Sequence, residues 1–406
     1  MKARGHISGS DLRGYGRLAV DATIGLTRLV ETLHHNILRA PGVLGQATQA
    51  PAGGVTGLVY RTIRGVTRLV GGSVDALFAQ LAPLIGGGES SLERDAVLAA
   101  LNGVLGDHLA SNGNPLAIPL SLRRNGSALE SSRSALAAVI PAATGKLLLL
   151  AHGLCMDDRQ WLRRGHDHGG ALAVDAGYTP VYLHYNSGRH VSTNGREFAQ
   201  QIENLLRAWP VSVDEIVIIG YSMGGLVTRS ACHYAQVQQH AWLRKLRTII
   251  FLGTPHHGAL LERGGNWIDT VLDSSPYTTA FARLGKIRSA GVTDLRHASM
   301  LDEDWEGRDR FARSARKPTV VPLPRDVQCF AIAASIAKKT RPLSERLVGD
   351  GLVPLASAFG SDADPGRDLG IPQSHRWTGY GMNHLDLLDR REVYAQMRKW
   401  LNSPAG

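Results

Sequence analysis

The sequence predicts an α/β fold, a mostly parallel sheet with helices on both faces, preceded by an N-terminal helical segment. Two observations predict it. Beyond about residue 113, short continuous apolar runs recur at 146–152 (KLLLLAH), 180–185, 215–220 (EIVIIG), 247–252 and 327–333, with helical patterns between them. Unbroken apolar strands alternating with helices are buried on both faces, which is the signature of a parallel sheet. Before residue 113 the periodicity is helical only.

The order of elements follows. Leu18, Ala22, Leu26, Leu29, Leu33 and Ile37 form one apolar stripe, with Arg17, Asp21, Arg28, His35 and Arg39 on the other side, so 17–38 reads as an amphipathic helix. A loop rich in Gly, Pro and Gln covers 41–57. A second helix at 58–81 carries Val59, Ile63, Val66, Val70, Val74, Leu77 and Leu81 on one face and Arg61, Arg64 and Arg68 on the other. A third covers 91–109, and the turn at 112–115 marks the boundary. The sequence thus divides into a helical accessory segment, 1–112, and a catalytic domain, 113–406, whose first strand is expected at 117–122. A helix is expected at 195–209. The stretch 261–316 has no clear strand; Trp267, Ile268, Val271, Leu272, Tyr277, Phe281 and Leu284 give it an apolar face. It reads as an insertion that could form a lid or acyl-binding cap, or an ordinary packed helix.

Composition sets further bounds. The 406 residues exceed one small domain, and 43% apolar with 20% charged residues suits a sizeable core. The net charge of +10 could favour anionic partners or serve solubility. Nucleic acid is not expected, because no arginine-rich run, zinc-ligand spacing or RNA-binding aromatic motif occurs. Cys155, Cys232 and Cys329 are too few and odd in number for a disulfide framework. The basic N-terminus lacks a continuous apolar region, and no apolar run reaches 18 residues, so neither a secretory signal nor a membrane span is expected. The expected location is cytoplasmic or peripheral to a membrane.

The chemistry centres on Gly220-Tyr221-Ser222-Met223-Gly224-Gly225, between the strand EIVIIG and the helical pattern GLVTRSACHYAQ. Strand, tight turn and helix are the setting of a nucleophile elbow, and the helix start offers free N–H groups to a developing oxyanion. A serine hydroxyl needs a base, and the base needs an orienting acid, in the order serine, acid, histidine. Asp350, between Gly349 and Gly351 shortly after a strand, is the candidate acid, with Asp326, Asp362 and Asp364 as competitors. His384, in a loop before the last helix, is the candidate base, and His375 is its rival. His152-Gly153-Leu154 ends a strand, so the Leu154 N–H is expected to join the Met223 N–H in an oxyanion hole. His256 and His257 tempt a zinc reading, but neighbours on extended chain point opposite ways. A rigid pocket-lining loop is the preferred reading, and no cofactor is expected.

The segments HGLCMDDRQW (152–161), YNSGRH (185–190), GYSMGG, LGTPHHG, SAGVTDLRHASM (289–300), GDGLVP and NHLDLL together resemble lipases of the α/β-hydrolase superfamily. They are most similar to the bacterial branch of inositol-deacylase-like esterases, which is related to triacylglycerol lipases. The resemblance spans about 146–388. It implies the α/β-hydrolase fold and hydrolysis of a small-molecule or lipid ester by Ser222, Asp350 and His384, with Leu154 and Met223 as oxyanion donors. In calcium-containing relatives an aspartate two residues after the catalytic histidine helps hold the ion, and Asp386 matches that position. Other expectations for the same motifs are an acyltransferase with the same triad and a non-catalytic lipid-surface protein.

The basic faces yield a test. Residues 1–88 hold nine Lys/Arg against four Asp/Glu, half of the net charge. Basic amphipathic helices bind anionic interfaces, with about 1 kcal/mol per cation near the surface. The full chain is expected to co-sediment with anionic vesicles in a salt-sensitive manner, and a chain lacking the accessory segment is not. Equal behaviour of the two would leave these helices a packing role only.

Overall fold

The structure, a computed structural model, describes residues 92–259, 289–307, 318–339 and 349–403. The expected helices at 17–38 and 58–81 and the apolar series 267–284 lie outside these residues. Two compact units divide the chain: Met1–Arg94 with Ser111–Leu116, and Asp95–Ala110 with Ala117–Gly406.

Among the described residues the second unit is built on eight strands: β1 (Ser121–Arg124), β2 (Ser127–Ala128), β3 (Lys146–Ala151), β4 (Thr179–His184), β5 (Glu215–Tyr221), β6 (Leu246–Leu252), β7 (Gln328–Ser335) and β8 (Arg376–Tyr380). Their order across the sheet is β2-β1-β4-β3-β5-β6-β7-β8. From β4 to β8 every pair is parallel; β1 runs antiparallel to both β4 and β2. The expected α/β class is therefore the observed one. Parallel neighbours need long crossovers, and helices supply them: α3 (His168–Ala176) between β3 and β4, α4 (Val191–Ala208) between β4 and β5, and α5 (Met223–Val237) between β5 and β6. The described chain also forms α1 (Leu92–Ser111), α2 (Arg133–Val139), α6 (Ala290–His297), α7 (Leu355–Ala358) and α8 (Arg391–Leu401).

Covered on both faces, β3, β5 and β6 bury nearly every residue from Leu147 to Ala151, Ile216 to Tyr221 and Thr248 to Leu252. Trp161, Trp209 and Trp242 are fully buried, and the last two satisfy their indole N–H on the carbonyls of Thr144 and Ala199. Among the described residues no helix is long and apolar enough to cross a membrane.

Four local readings change. The first strand lies at Ser121–Arg124 rather than 117–122. There the Arg123 guanidinium reaches Asp158 at 3.3 Å and Arg124 donates to the Pro180 carbonyl at 3.0 Å, so partners distant in sequence hold two arginines in a strand. β8 was not expected, because RWTGY has no alternation; it is the outer strand beside β7. Helix α4 starts at Val191, four residues early, and the carboxylate of Asp294 takes the Val191 N–H.

The fourth change concerns α1. Its residues Asp95–Ala110 belong with the sheet, not with the accessory segment. Small residues let it approach: Asn102 Oδ1 accepts the Ile118 N–H at 3.0 Å, Asn186 Nδ2 donates to the Gly106 carbonyl at 2.9 Å, and Ser289 Oγ donates to that of Gly103 at 2.7 Å. Removal of the accessory segment must therefore stop before Leu92. A Cβ at Gly103 would lie 2.2 Å from Cys155 Sγ and 3.0 Å from Cys155 Cα and N. Gly103→Ala is accordingly expected to lower the urea midpoint, at a cost of about 1–3 kcal/mol. On a solvent-facing helix the same change would stabilise by about 1 kcal/mol, so the sign of the shift tests the packing.

Candidate active site

The carboxyl ends of β3, β5, β6 and β7 carry the polar groups singled out in the sequence. Ser222 stands alone between β5 and α5, with φ 52° and ψ −122°. That region is costly for a non-glycine residue, on the order of 1–3 kcal/mol, and persists only when the surroundings impose it. Here the Ser222 N–H donates to the Leu252 carbonyl at 2.8 Å, and the Gly225 N–H donates back to that of Ser222 at 3.1 Å. Helix α5 passes hard against β3: a Cβ at Gly224 would sit 2.1 Å from the Ala151 carbonyl oxygen and 2.5 Å from that of His152. Only glycine allows this crossing.

Asp350 follows β7, which the chain leaves through the Ile336 N–H bonded to the Gly349 carbonyl. Its Oδ1 accepts the N–H groups of Leu352 and Val353 at 2.9 and 2.8 Å, and Oδ2 lies 2.6 Å from His384 Nδ1. Both residues are buried. The carboxylate is thus fixed by its own loop and presents one oxygen to the imidazole. His384 opens a one-turn 3₁₀ helix, His384–Leu388, capped by Asn383. Its carbonyl accepts the Tyr221 hydroxyl at 3.3 Å, its ring lies 4.9 Å from the Tyr221 ring, and Gly253 abuts its edge. The structure therefore joins Asp350 to His384 and seats the pair against the residue preceding Ser222.

The rivals are placed elsewhere. His375 precedes β8, and its Nδ1 lies 3.1 Å from the carbonyl of Cys329, near the amino end of β7, the wrong edge of the sheet. Asp326 likewise precedes β7. Asp362 pairs with Arg367 at 3.0 Å, and Asp364 is exposed.

Leu154 and Met223 are both buried beside the turn. Met223 is the first residue of α5, where an N–H has no acceptor within the helix. A Cβ at Gly153 would stand 3.2 Å from Ser222 Cβ, so the peptide that carries the Leu154 N–H runs alongside the serine. Its orientation has a visible cause. His152 Nδ1 lies 2.8 Å from the Gly153 carbonyl oxygen, and burial holds this imidazole neutral, its pKa down to about 3. A neutral ring facing a carbonyl carries its proton on that nitrogen. Peptide planarity then directs the Leu154 N–H the opposite way. Tyr185 stacks on His152 at 4.3 Å and donates its hydroxyl to the His152 carbonyl at 2.8 Å. Beyond it, Cys155 takes a φ of 60°, its N–H donating to Ser187 Oγ at 3.0 Å. Tyr185 and Ser187 were legible only as part of the YNSGRH segment. All three cysteines are buried free thiols, and burial pushes Cys155 and Cys329 up to about 12.

Metal readings do not fit. Asp386 Oδ2 accepts the Asn383 N–H at 2.9 Å, and Oδ1 faces Arg164 at 3.4 Å and Arg390 at 3.7 Å. A calcium ion wants six to eight oxygens, and cations already face this one. His256 turns toward Arg229, whereas His257 faces Asp362 at 3.9 Å. Among the described residues no group of three or more His, Cys, Asp or Glu could hold a metal ion. The motif at 289–300, inside the expected insertion, forms α6 and is tied to the sheet's helices. Asp294 meets His190 at 3.0 Å, and Ser230 Oγ donates to the Met300 carbonyl at 2.8 Å.

Comparison with known proteins finds distant similarity. A family described as a domain of unknown function (DUF7379) matches residues 124–298. No curated protein matches the chain in sequence. Among solved structures, the mature form of the Bacillus licheniformis lipase BlEst2 is 15% identical with a TM-score of 0.40, over 70% of this chain and 98% of that one. For its propeptide form the identity is 14% and the TM-score 0.40, over 66% of this chain; this chain spans about half (52%) of that one. A thermophilic esterase from Thermogutta terrifontis is 16% identical with a TM-score of 0.35, over 64% and 90% of the two chains. At such distance the chemistry has to be read from the site.

The Tyr185 contact gives a test. Tyr185→Phe keeps the ring stack and removes the hydroxyl that the His152 carbonyl accepts. Urea unfolding is expected to show a loss of about 0.5–1.5 kcal/mol; an unchanged midpoint would contradict the bond.

Proposed function

We propose that the protein is a serine ester hydrolase working through an acyl-enzyme, with Ser222 as nucleophile, His384 as base and Asp350 as acid. The observation that carries this reading is the buried 2.6 Å contact between His384 Nδ1 and Asp350 Oδ2, set against the strained turn that presents Ser222. Asp350 holds the imidazole in the tautomer whose other nitrogen is free to accept a proton, and it stabilises the cation that forms. Ser222 Oγ attacks the ester carbonyl as its proton passes to His384. The carbonyl oxygen gathers charge and meets the N–H groups of Leu154 and Met223, positioned for it without reorganisation. His384 then returns the proton to the departing alcohol as the C–O bond breaks. Water attacks the acyl-enzyme by the same steps and frees the acid and Ser222. The substrate is a small-molecule or lipid ester.

Labelling with a fluorophosphonate and mapping the modified peptide is the direct test; Ser222 is expected to carry the label. Ser222→Ala and His384→Ala are each expected to lower kcat on a p-nitrophenyl ester by a factor on the order of 10⁴ to 10⁶, because triad members act as a unit. His375→Ala is expected to cost little. A Ser222→Ala protein keeping a tenth of the activity, or label on another residue, would overturn the assignment.

A further inference from the structure

A small hairpin between β3 and α3 reaches the turn that carries His384. Arg163 and His166 exchange N–H···O bonds, both at 2.9 Å, around the two-residue tip Arg164-Gly165. Both tip residues have positive φ, 47° and 79°, which closes the hairpin tightly. Its side chains converge on the far end of the turn His384–Leu388. Arg163 Nε lies 3.1 Å from Asp389 Oδ2, and Arg164 meets Asp389 at 3.5 Å and Asp386 at 3.4 Å. The Asp389 side chain is 3% exposed, and its Oδ1 has no hydrogen-bond partner. Among the described residues these guanidinium groups balance its charge, and a buried carboxylate that loses its partner is costly.

Helix α3 adds a second tie. His168, its first residue, is buried, and its Nε2 lies 2.9 Å from the Leu387 carbonyl oxygen. Burial keeps the ring neutral, its pKa down to about 4. A carbonyl can only accept, so the ring proton sits on Nε2, and Nδ1 accepts from His166 Nε2 at 2.8 Å. The hydrogen bonds therefore run one way, from His166 to His168 to the Leu387 carbonyl.

The turn needs these ties because it holds itself weakly. It is a single 3₁₀ turn, a form with poor hydrogen-bond geometry. Leu387 and Leu388 are buried, but apolar burial is non-directional: it sets the depth of the turn and not its rotation. Asn383 and Asp386 cap the start. The far end is held by Arg163, Arg164 and His168, and a rotation there would carry the His384 ring away from Asp350.

We propose that Arg163 and His168 are positioning residues for the proposed reaction: they lock the far end of this turn and so keep the His384 ring on Asp350. This role presupposes the proposed triad.

The experiment uses the full chain, a p-nitrophenyl ester and a fluorophosphonate. His168→Phe keeps a flat ring and loses both hydrogen bonds. Arg163→Gln removes the charge facing Asp389 and serves where His168→Phe does not fold. Each is expected to lower kcat, and the rate at which Ser222 is labelled, by about 10- to 100-fold, the scale of a misplacement near 1 Å, with KM within about twofold. His168→Gln, whose amide N–H can reach the same carbonyl, is expected to recover most of the loss. Every protein is assayed well below its own Tm, so that lost stability is not read as lost rate. Wild-type rates in folded His168→Phe or Arg163→Gln, with Ser222 labelled, would overturn the positioning role and leave the triad standing. So would a His168→Gln protein as slow as His168→Phe. Label on another residue of the wild-type protein would overturn the triad, and the positioning role with it.

Discussion

The carboxyl edge of the sheet depends on how closely α5 crosses the end of β3. Gly224 has no Cβ, and the Ala151 carbonyl oxygen occupies the space a Cβ would need, at 2.1 Å. That approach fixes the start of α5 relative to β3 and β5. With β5 already held in register against β3 and β6, the single residue left to close the gap is Ser222. Its left-handed backbone is therefore a consequence of packing, and the bonds from Ser222 to Leu252 and from Gly225 to Ser222 balance part of its cost.

Around this turn, buried polar groups are satisfied largely by neighbouring backbone, which makes them stiff. Asp350 spends one oxygen on two N–H groups of its own loop and the other on His384. His152 spends its one N–H on Gly153, and Tyr185 holds the His152 carbonyl. The groups proposed to act in catalysis thus owe their orientation to partners that do no chemistry, which is the arrangement electrostatic preorganisation requires. Asp386 shows the same logic on a group outside the proposed triad: capping and two arginines consume a carboxylate that sequence resemblance links to calcium.

Helix α1 extends this support. It approaches the loop after β3 through Gly103 and the loop after β4 through Asn102 and Gly106. Its pattern of Leu, Ala, Asn and Gly reads as one more helix of the preceding segment. What brings it close to the loops after β3 and β4 is small residues and hydrogen bonds between side chains and backbone.

The sequence by itself determined the parallel core and the tight turn at Ser222, because both are local. Four apolar residues in succession in β3, or the strand-turn-helix pattern around Ser222, mean the same thing wherever they occur. Sequence could also propose Asp350 and His384, but not exclude Asp326, Asp362, Asp364 or His375. Tertiary structure sets Asp350 against His384, leaves Asp326 and His375 at the amino end of β7, a matter of strand direction and register, and turns Asp362 to Arg367. β8 and the true span of β1 were hidden for the same reason. Arg376–Tyr380 is a strand because β7 offers it a ladder, and Arg123 and Arg124 stay in β1 because Asp158 and the Pro180 carbonyl receive them. Local pattern records which face of a segment is apolar; hydrogen bonds between residues far apart in the chain decide where that segment lies and what its polar groups meet.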